Sequence, residues 1–155
     1  MTNVPYFAHE FEIDKPVKPM IDRVKTLEKV VNKMTQYEPV TRHYFHGGMY
    51  VREVEQHADV LVIRCEHLTD HFFQLFSGTL ILTMDEGVTE ITGPAILKSP
   101  KGTKRAIYSV TDAIYATVHL TAATTIEEAE IELVVRDPES PFGPGNKLKC
   151  LPEGV

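Results

Sequence analysis

Cysteine is scarce in this chain: only Cys65 and Cys150 are present. Two thiols make no disulfide framework, so the small secreted scaffolds stapled by several bridges are excluded, and both thiols are expected to be reduced. No apolar run approaches the ~20 residues a membrane-spanning helix requires. The first residues, Met1 to Glu10, also lack the basic and then apolar order of a secretion signal. The expected compartment is therefore the cytoplasm, with no membrane partner. Basic residues are in deficit as well, 16 Lys and Arg against 22 Asp and Glu for a formal charge of −6, which opposes non-specific binding to a phosphate backbone. Nucleic acid is thus not an expected partner, although Lys98, Lys101, Lys104 and Arg105 make a small local basic run.

What is present is an ordinary globular composition, 43% hydrophobic and 25% charged over 155 residues, enough for one hydrophobic core and too little for two. One domain is expected, in three stretches: an arm and helix over 1–40, a barrel over 41–121, and a short helix with a Pro- and Gly-rich tail over 122–155. Residues 1–17 show no clean period and contain Pro5 and Pro16, an irregular arm with room for one short strand. From Pro19, Met20, Ile21, Val24, Leu27, Val30, Val31 and Met34 recur at three and four among charged residues, which predicts an amphipathic helix over 19–36. Between 41 and 120 the texture is short runs of Val, Ile, Thr, Tyr and Phe cut by Gly, Pro and Asp. The runs predict strands near 42–46, 49–55, 58–66, 71–77, 79–84, 88–91, 94–98, 104–110 and 113–120. Strands without intervening helices argue for a sandwich or barrel, so the fold class is mainly all-β. A second helix follows Thr124 or Thr125, either of which can cap it. The segment from Asp137 to Gly145 reads as a tail, loose or ordered by docking on a neighbour.

Chemistry concentrates in the run from Leu61 to Gly78. Alternation on a strand puts Leu61, Ile63, Cys65 and His67 on one face and Val62, Arg64 and Glu66 on the other. Cys65 then reads as a small buried residue. In an unbroken strand His71 stands ~13 Å from His67, too far to share a metal. A turn at Leu68-Thr69-Asp70 removes that objection, and a helical His-x-x-x-His is the alternative that also brings the two imidazoles together. It is not the His-Glu-x-x-His of zinc proteases, because Leu68 stands at the Glu position. Asp70 can orient an imidazole or stabilise the turn. The apolar flanks Val60 to Ile63 and Phe72-Phe73 favour strand, turn, strand.

This run resembles the first motif of the cupin superfamily, in which two His one residue apart precede a Glu, and a Gly follows six residues after it. Gly78 fits the Gly, His71 takes the Glu place, His67 the second His place and Cys65 the first. Gly93 to Arg105 is similar to the second motif, with Pro100-Lys101-Gly102 at its turn and Arg105 where the family carries its third His. Together with Val118-His119-Leu120-Thr121 these segments also look like small single-domain cupin-like proteins encoded by tailed phages, which would place the chain in a host cytoplasm. The resemblance covers about residues 45–120. It implies a double-stranded β-helix, the cupin jelly-roll barrel, with an N-terminal amphipathic helix and a short C-terminal helix. It also implies a divalent metal, Zn, Fe, Mn or Ni, held by three His and a Glu.

The departures from that pattern are informative. Arg105 is always protonated and cannot be a ligand. A metal site would then be His67, His71 and His119 with an open position. Alternation leaves His119 undecided: it shares a face with Tyr115 and Thr117, inside if the lumen is polar and outside if Ile114, Ala116 and Val118 face the core. A buried His is more often a hydrogen-bonded core residue than a ligand, so a metal-free pocket of the same residues stands beside the metal reading. Arg105, if it faces the interior, must meet an internal acid or an anionic ligand; otherwise it points to solvent beside Lys104. Two functions are therefore expected. The first is a barrel that binds a small anionic ligand, with Arg105, Tyr115 and Cys65 at the ligand, or that serves as a non-catalytic assembly module. The second is a metal-dependent enzyme using His67, His71 and His119. A homodimer or higher homo-oligomer is the expected assembly.

Overall fold

The computed structural model describes residues 18–149; the arm over 1–17 and Cys150 lie outside them. Helix α1 spans Met20–Val31. Nine strands follow: β1 Val40–His46, β2 Met49–Gln56, β3 Val60–Ile63, β4 His71–Ser77, β5 Thr79–Met84, β6 Gly87–Thr92, β7 Ala95–Ser99, β8 Ala106–Ser109 and β9 Ala113–Leu120. Helix α2 spans Ile126–Leu133, and a single 3₁₀ turn covers Pro144–Asn146.

The strands form two antiparallel sheets, in the orders β1-β2-β9-β4-β7 and β3-β8-β5-β6. Their pairing states how the chain is wound. The hairpin β5–β6 is the tip, and outward from it β4 pairs β7, β3 pairs β8 and β2 pairs β9. One long two-stranded ribbon thus coils so that its segments alternate between the sheets, which is the jelly roll, or double-stranded β-helix. The inner faces hold Val54, Phe73, Leu75, Leu80, Leu82, Ile107, Ala113 and Tyr115. Phe73 and Tyr115 stack at 5.2 Å. The one polar tip in this packing is satisfied: the Tyr115 hydroxyl donates to Gln56 Oε1 at 2.8 Å, and Gln56 Nε2 donates to the Val60 carbonyl at 2.9 Å.

Helix α1 lies against the four-stranded sheet with Val24 buried. It stops earlier than the apolar period suggested because the Gln36 side chain folds back and donates to the carbonyls of Val31 and Met34, both at 2.8 Å. Those donors occupy helix-end carbonyls that the next turn of helix would have used. Helix α2 is capped by Thr125, whose Oγ1 accepts from the Glu128 N–H, with Glu127 and Glu128 favourably placed in its first turn.

Helix α2 closes one end of the barrel. Ala129, Leu133 and Val134 pack on Tyr50, with Phe45 and Ala123 at the margin. The loop over 66–68 is tied to it by Leu68 N–H to the Leu133 carbonyl at 2.8 Å and Val135 N–H to the Glu66 carbonyl at 2.9 Å. At the centre of this closure sits Glu130, buried, accepting from Arg52 Nη2 at 2.8 Å, Arg136 Nη2 at 3.1 Å and the Gly145 N–H at 2.8 Å. The tail consequently does not wait for a neighbour. It docks on its own barrel, adding Asn146 Nδ2 to Thr41 Oγ1 at 3.0 Å and Leu148 N–H to Glu38 Oε1 at 2.8 Å.

Three substitutions test these contacts. A Cβ on Gly78, where φ is +92°, would lie 2.2 Å from the Asp112 carbonyl oxygen and 2.8 Å from Ala113 Cα. Gly78→Ala is expected to lower the free energy of unfolding by about 3 kcal/mol in urea titration. Gly87→Ala, with open space around the position, should cost only about 1–2 kcal/mol. Glu130→Ala leaves the buried Arg52 guanidinium without its counter-charge, and about 3–5 kcal/mol is expected to be lost in the same measurement.

Candidate functional site

The site arises where three strand ends and one turn meet beneath α2. On β9 the inward set is Tyr115, Thr117 and His119, all buried. That settles the parity: this end of the lumen is polar and His119 faces it. On β4 the inward set begins at His71 and continues through Phe73 and Leu75. The link from β3 to β4 is a turn, with Asp70 Oδ1 accepting from the Lys101 N–H at 2.8 Å, so strand, turn, strand holds and the helical alternative does not.

Cys65 requires a correction. Regular alternation would put it inside with His67, but it is exposed, while Arg64 and His67 are buried. The inward face of β3 is that of Val62, with Leu61 exposed, and a local bulge follows the strand. The Arg64 N–H bonds the Arg105 carbonyl and the His67 N–H bonds the Thr103 carbonyl, both at 2.9 Å, so Cys65 and Glu66 together face the single residue Lys104. Arg64 therefore falls inside with Val62 and Cys65 outside with Leu61, and the extra residue then brings His67 to the same inward side as Arg64.

His67, His71 and His119 gather in one cluster. Ring centroids lie 4.1 Å apart for His67 and His71, 4.7 Å for His71 and His119, and 5.2 Å for His67 and His119. Burial lowers the pKa of each. His67 falls well below 6.5, with the positive charge that His71 and His119 would carry adding to the effect of burial. His119 is pushed down to about 3, by burial first and then by His71 and Arg52. All three are neutral at pH 7. His71 Nδ1 lies 3.0 Å from the Thr69 carbonyl, which can only accept. Nδ1 therefore carries the proton and Nε2 keeps its lone pair.

Beside the imidazoles are two cations. Arg105 is buried, donates from Nη1 to Ser99 Oγ at 2.8 Å and lies 5.5 Å from the Phe73 ring centroid. Burial lowers its pKa, partly opposed by the exposed Asp85. Arg64 is buried next to His67, whose protonation it disfavours. Among the described residues neither arginine forms an ion pair. Arg64 was not anticipated from the sequence because the opposite face, that of Leu61, Ile63, Cys65 and His67, was expected inside; Val62, on the Arg64 face, is the buried residue. Thr117 sat on the His119 face and could have been named from that alternation alone. Tyr115 does line the cavity, but its hydroxyl is committed to Gln56.

The space here is small. Arg64, His67, His71, Phe73, Arg105 and Thr117 surround a cavity of about 10 Å³, room for roughly one water-sized group. His71 also forms the wall of a groove of about 540 Å³ over the end of the five-stranded sheet, with Met49, Phe72, Lys98, His119 and Leu120. A cleft of about 620 Å³ between α1 and residues 135–139 is larger. It holds none of the five buried side-chain polar atoms that lack a partner among the described residues: Thr69 Oγ1, His71 Nε2, Arg105 Nε, Thr117 Oγ1 and His119 Nδ1.

Three neutral imidazoles are suitable donors for a divalent metal, but their arrangement does not fit one. The rings are within 18° to 32° of parallel, and among the described residues no three His, Cys, Asp or Glu side chains are placed to hold an ion. A cation would also meet the buried guanidiniums of Arg64 and Arg105, and no carboxylate lines the cavity.

No protein-family model matches the sequence, and no curated protein matches it. Among solved structures the chain is similar to a cupin superfamily protein from Desulfitobacterium hafniense, at 12% identity over 57% of this chain and 83% of that one, with a TM-score of 0.48. It is similar to a cupin domain from Bordetella pertussis at 18% identity, over 57% and 99% of the two chains, with a TM-score of 0.46. A salicylate 1,2-dioxygenase from Pseudoaminobacter salicylatoxidans matches at 12% identity over 63% of this chain but only 30% of its own length, TM-score 0.49. These are distant likenesses; the winding of the strands described above is what defines the fold. No described helix is long and apolar enough to cross a membrane.

The depressed imidazole pKa values carry a stability consequence. A His that stays neutral in the fold but titrates near 6.5 when unfolded makes the unfolded chain the better proton binder below that pH. Stability is then complete above about 6.5 and falls with acid toward the folded pKa, about 3 for His119. Each such His contributes a slope of about 1.4 kcal/mol per pH unit inside its window. In urea titrations from pH 7 to 4, His119→Gln should show a slope shallower than the parent by about that amount.

Proposed function

We propose that this chain is a small-ligand binding barrel that takes the compact anionic head of its ligand between Arg105 and Arg64. The supporting observation is convergence. Two buried guanidiniums that form no ion pair among the described residues, an unpartnered Arg105 Nε and an unpartnered Thr117 hydroxyl surround one cavity. A guanidinium withdrawn from water is costly unless it is paired, and an entering carboxylate, phosphate or sulfate supplies the missing charge in the geometry that arginine matches best.

The size of the cavity limits what enters it. A water-sized space is too small for a carboxylate, phosphate or sulfate as it stands, so Arg105 or His71 must move for the head to enter, and the rest of the ligand stays in the groove of Met49, Phe72 and Leu120. His71, which faces both spaces, is the gatepost, and its Nε2 lone pair accepts a hydrogen bond from a hydroxyl on the ligand. Binding is favoured over catalysis because the groups that could react are poorly suited. The imidazoles are weak bases once their pKa values are depressed, and Cys65 is on the outside.

The reading is tested by thermal unfolding of untagged protein with acetate, phosphate and sulfate, against chloride at matched ionic strength. At least one should raise the melting temperature, since an anion at 100 times its dissociation constant stabilises by ~2.7 kcal/mol. Arg105→Gln should retain the fold and lose the shift. No shift with any anion would remove the basis for the proposal. Metal analysis of the same untagged protein separates the enzyme reading: one equivalent of Zn, Fe, Mn or Ni per chain, lost in His71→Ala, would replace anion binding with a metal site.

A further inference from the structure

Building on anion binding between Arg105 and Arg64, we propose that the ligand is a 2-hydroxy carboxylic acid with a short aliphatic chain. Its hydroxyl is recognised by His71 Nε2 and its chain by the groove of Met49, Phe72 and Leu120. The Thr69 carbonyl, 3.0 Å from His71 Nδ1, fixes the tautomer, so Nε2 presents a lone pair. That atom is withdrawn from water and has no hydrogen-bond partner among the described residues. A buried acceptor left unused is unfavourable, so a ligand that donates to it is preferred to one that does not.

The surroundings narrow what can donate there. His71, Arg64 and Arg105 line one space of about 10 Å³, which puts the donor on the atom next to the acid group. A plain carboxylate or a sulfate has no proton to give, and a 2-oxo acid turns a second acceptor toward the lone pair. An amino acid has a donor but brings an ammonium between two guanidiniums, where like charges repel. A hydroxyl donates without charge. Of the anionic heads the carboxylate is planar and the smallest, and it asks the least movement of Arg105 or His71.

The aliphatic chain leaves along the sheet. Val118 and Leu120 are two apart on β9, and their cross-strand neighbours are Phe72 on β4 and Met49 on β2. All four line the groove that His71 walls, and Leu120, Phe72 and Met49 are 79%, 49% and 48% exposed. The two β9 positions span ~7 Å, which about five or six carbons beyond the hydroxyl-bearing one cover. Each methylene laid there adds roughly two- to fourfold in affinity.

Calorimetric titration of the untagged full chain with 2-hydroxyoctanoate, octanoate, 2-oxooctanoate, 2-aminooctanoate, lactate and octyl phosphate is the test. 2-Hydroxyoctanoate should bind about tenfold or more tightly than each of the others. In His71→Phe the ratio of hydroxy acid to plain acid affinity should fall to about 1. Leu120→Ser, at an exposed position, should weaken 2-hydroxyoctanoate severalfold and keep that ratio. If His71→Phe fails to fold, the preference of the parent and Leu120→Ser decide. Octanoate or its 2-oxo or 2-amino analogue binding as tightly as 2-hydroxyoctanoate, with both lost in Arg105→Gln, overturns the hydroxyl and leaves anion binding standing. Lactate binding as tightly overturns the chain, and octyl phosphate binding as tightly overturns the carboxylate. If no acid binds, the proposal falls, and anion binding falls with it only when acetate, phosphate and sulfate also leave the melting temperature unchanged.

Discussion

The carboxylate of Glu130 is held away from water between two guanidiniums and a backbone amide, and the polar end of the barrel depends on that arrangement. A buried carboxylate is tolerable only when its lone pairs are used and its charge is matched. Glu130 meets both conditions by drawing on three distant parts of the chain: Arg52 from β2, Arg136 from the segment after α2, and Gly145 from the tail. The result is more than one ion pair. It fixes the rotation of α2 so that Ala129 and Leu133 face Tyr50, and it gives the tail a reason to fold back. Burial of Tyr50 in turn carries a hydrogen-bonded chain outward, with Arg52 Nε donating to the Tyr50 hydroxyl at 3.2 Å and that hydroxyl 2.6 Å from His43 Nδ1.

The same closure sets the electrostatics below it. With α2 in place the three imidazoles are screened from water, which is the first cause of their lowered pKa values; for His67 and His119 the charge His71 would carry is the second. The lumen is consequently divided. Toward one end it is filled by Leu75, Leu80, Leu82 and Tyr115; toward the other it holds neutral imidazoles and two cations, with Arg105 lying over the face of Phe73 at the boundary. An aromatic face is a partial substitute for a counter-ion, so Arg105 can be held there without an ion pair.

Much of the fold was legible in the sequence because period-two runs and their Gly, Pro and Asp breaks report directly on buried and exposed faces. Every one of the nine strands lies where those runs placed it, with ends shifted by a few residues at most. The exceptions have physical causes. Helix α1 ends early through a side-chain contact with no periodic signature, made by Gln36. The fate of the tail depended on Glu130, whose role cannot be seen in a run of four glutamates spaced along a short helix. Arg64 and Cys65 lie opposite to expectation because Val62, and not Leu61, is the inward residue of β3, and His67 joins Arg64 inside through a bulge that nothing in the run Arg64-Cys65-Glu66-His67 marks. The His119 face needed the knowledge that this end of the lumen is polar, which belongs to the assembled barrel and to no single strand.

The position of the stopper in the chain has a consequence for how the protein is made. The ribbon of β2 to β9 leaves the ribosome complete before α2, and α2 before Gly145, Asn146 and Leu148, whose partners Glu38 and Thr41 were synthesised near the beginning. A single domain folds as a unit, so Arg52, Tyr50 and the imidazoles are withdrawn from water only once α2 and the segment through Gly145 have been made. The polar end of the lumen is thus closed by residues synthesised after every strand that builds it.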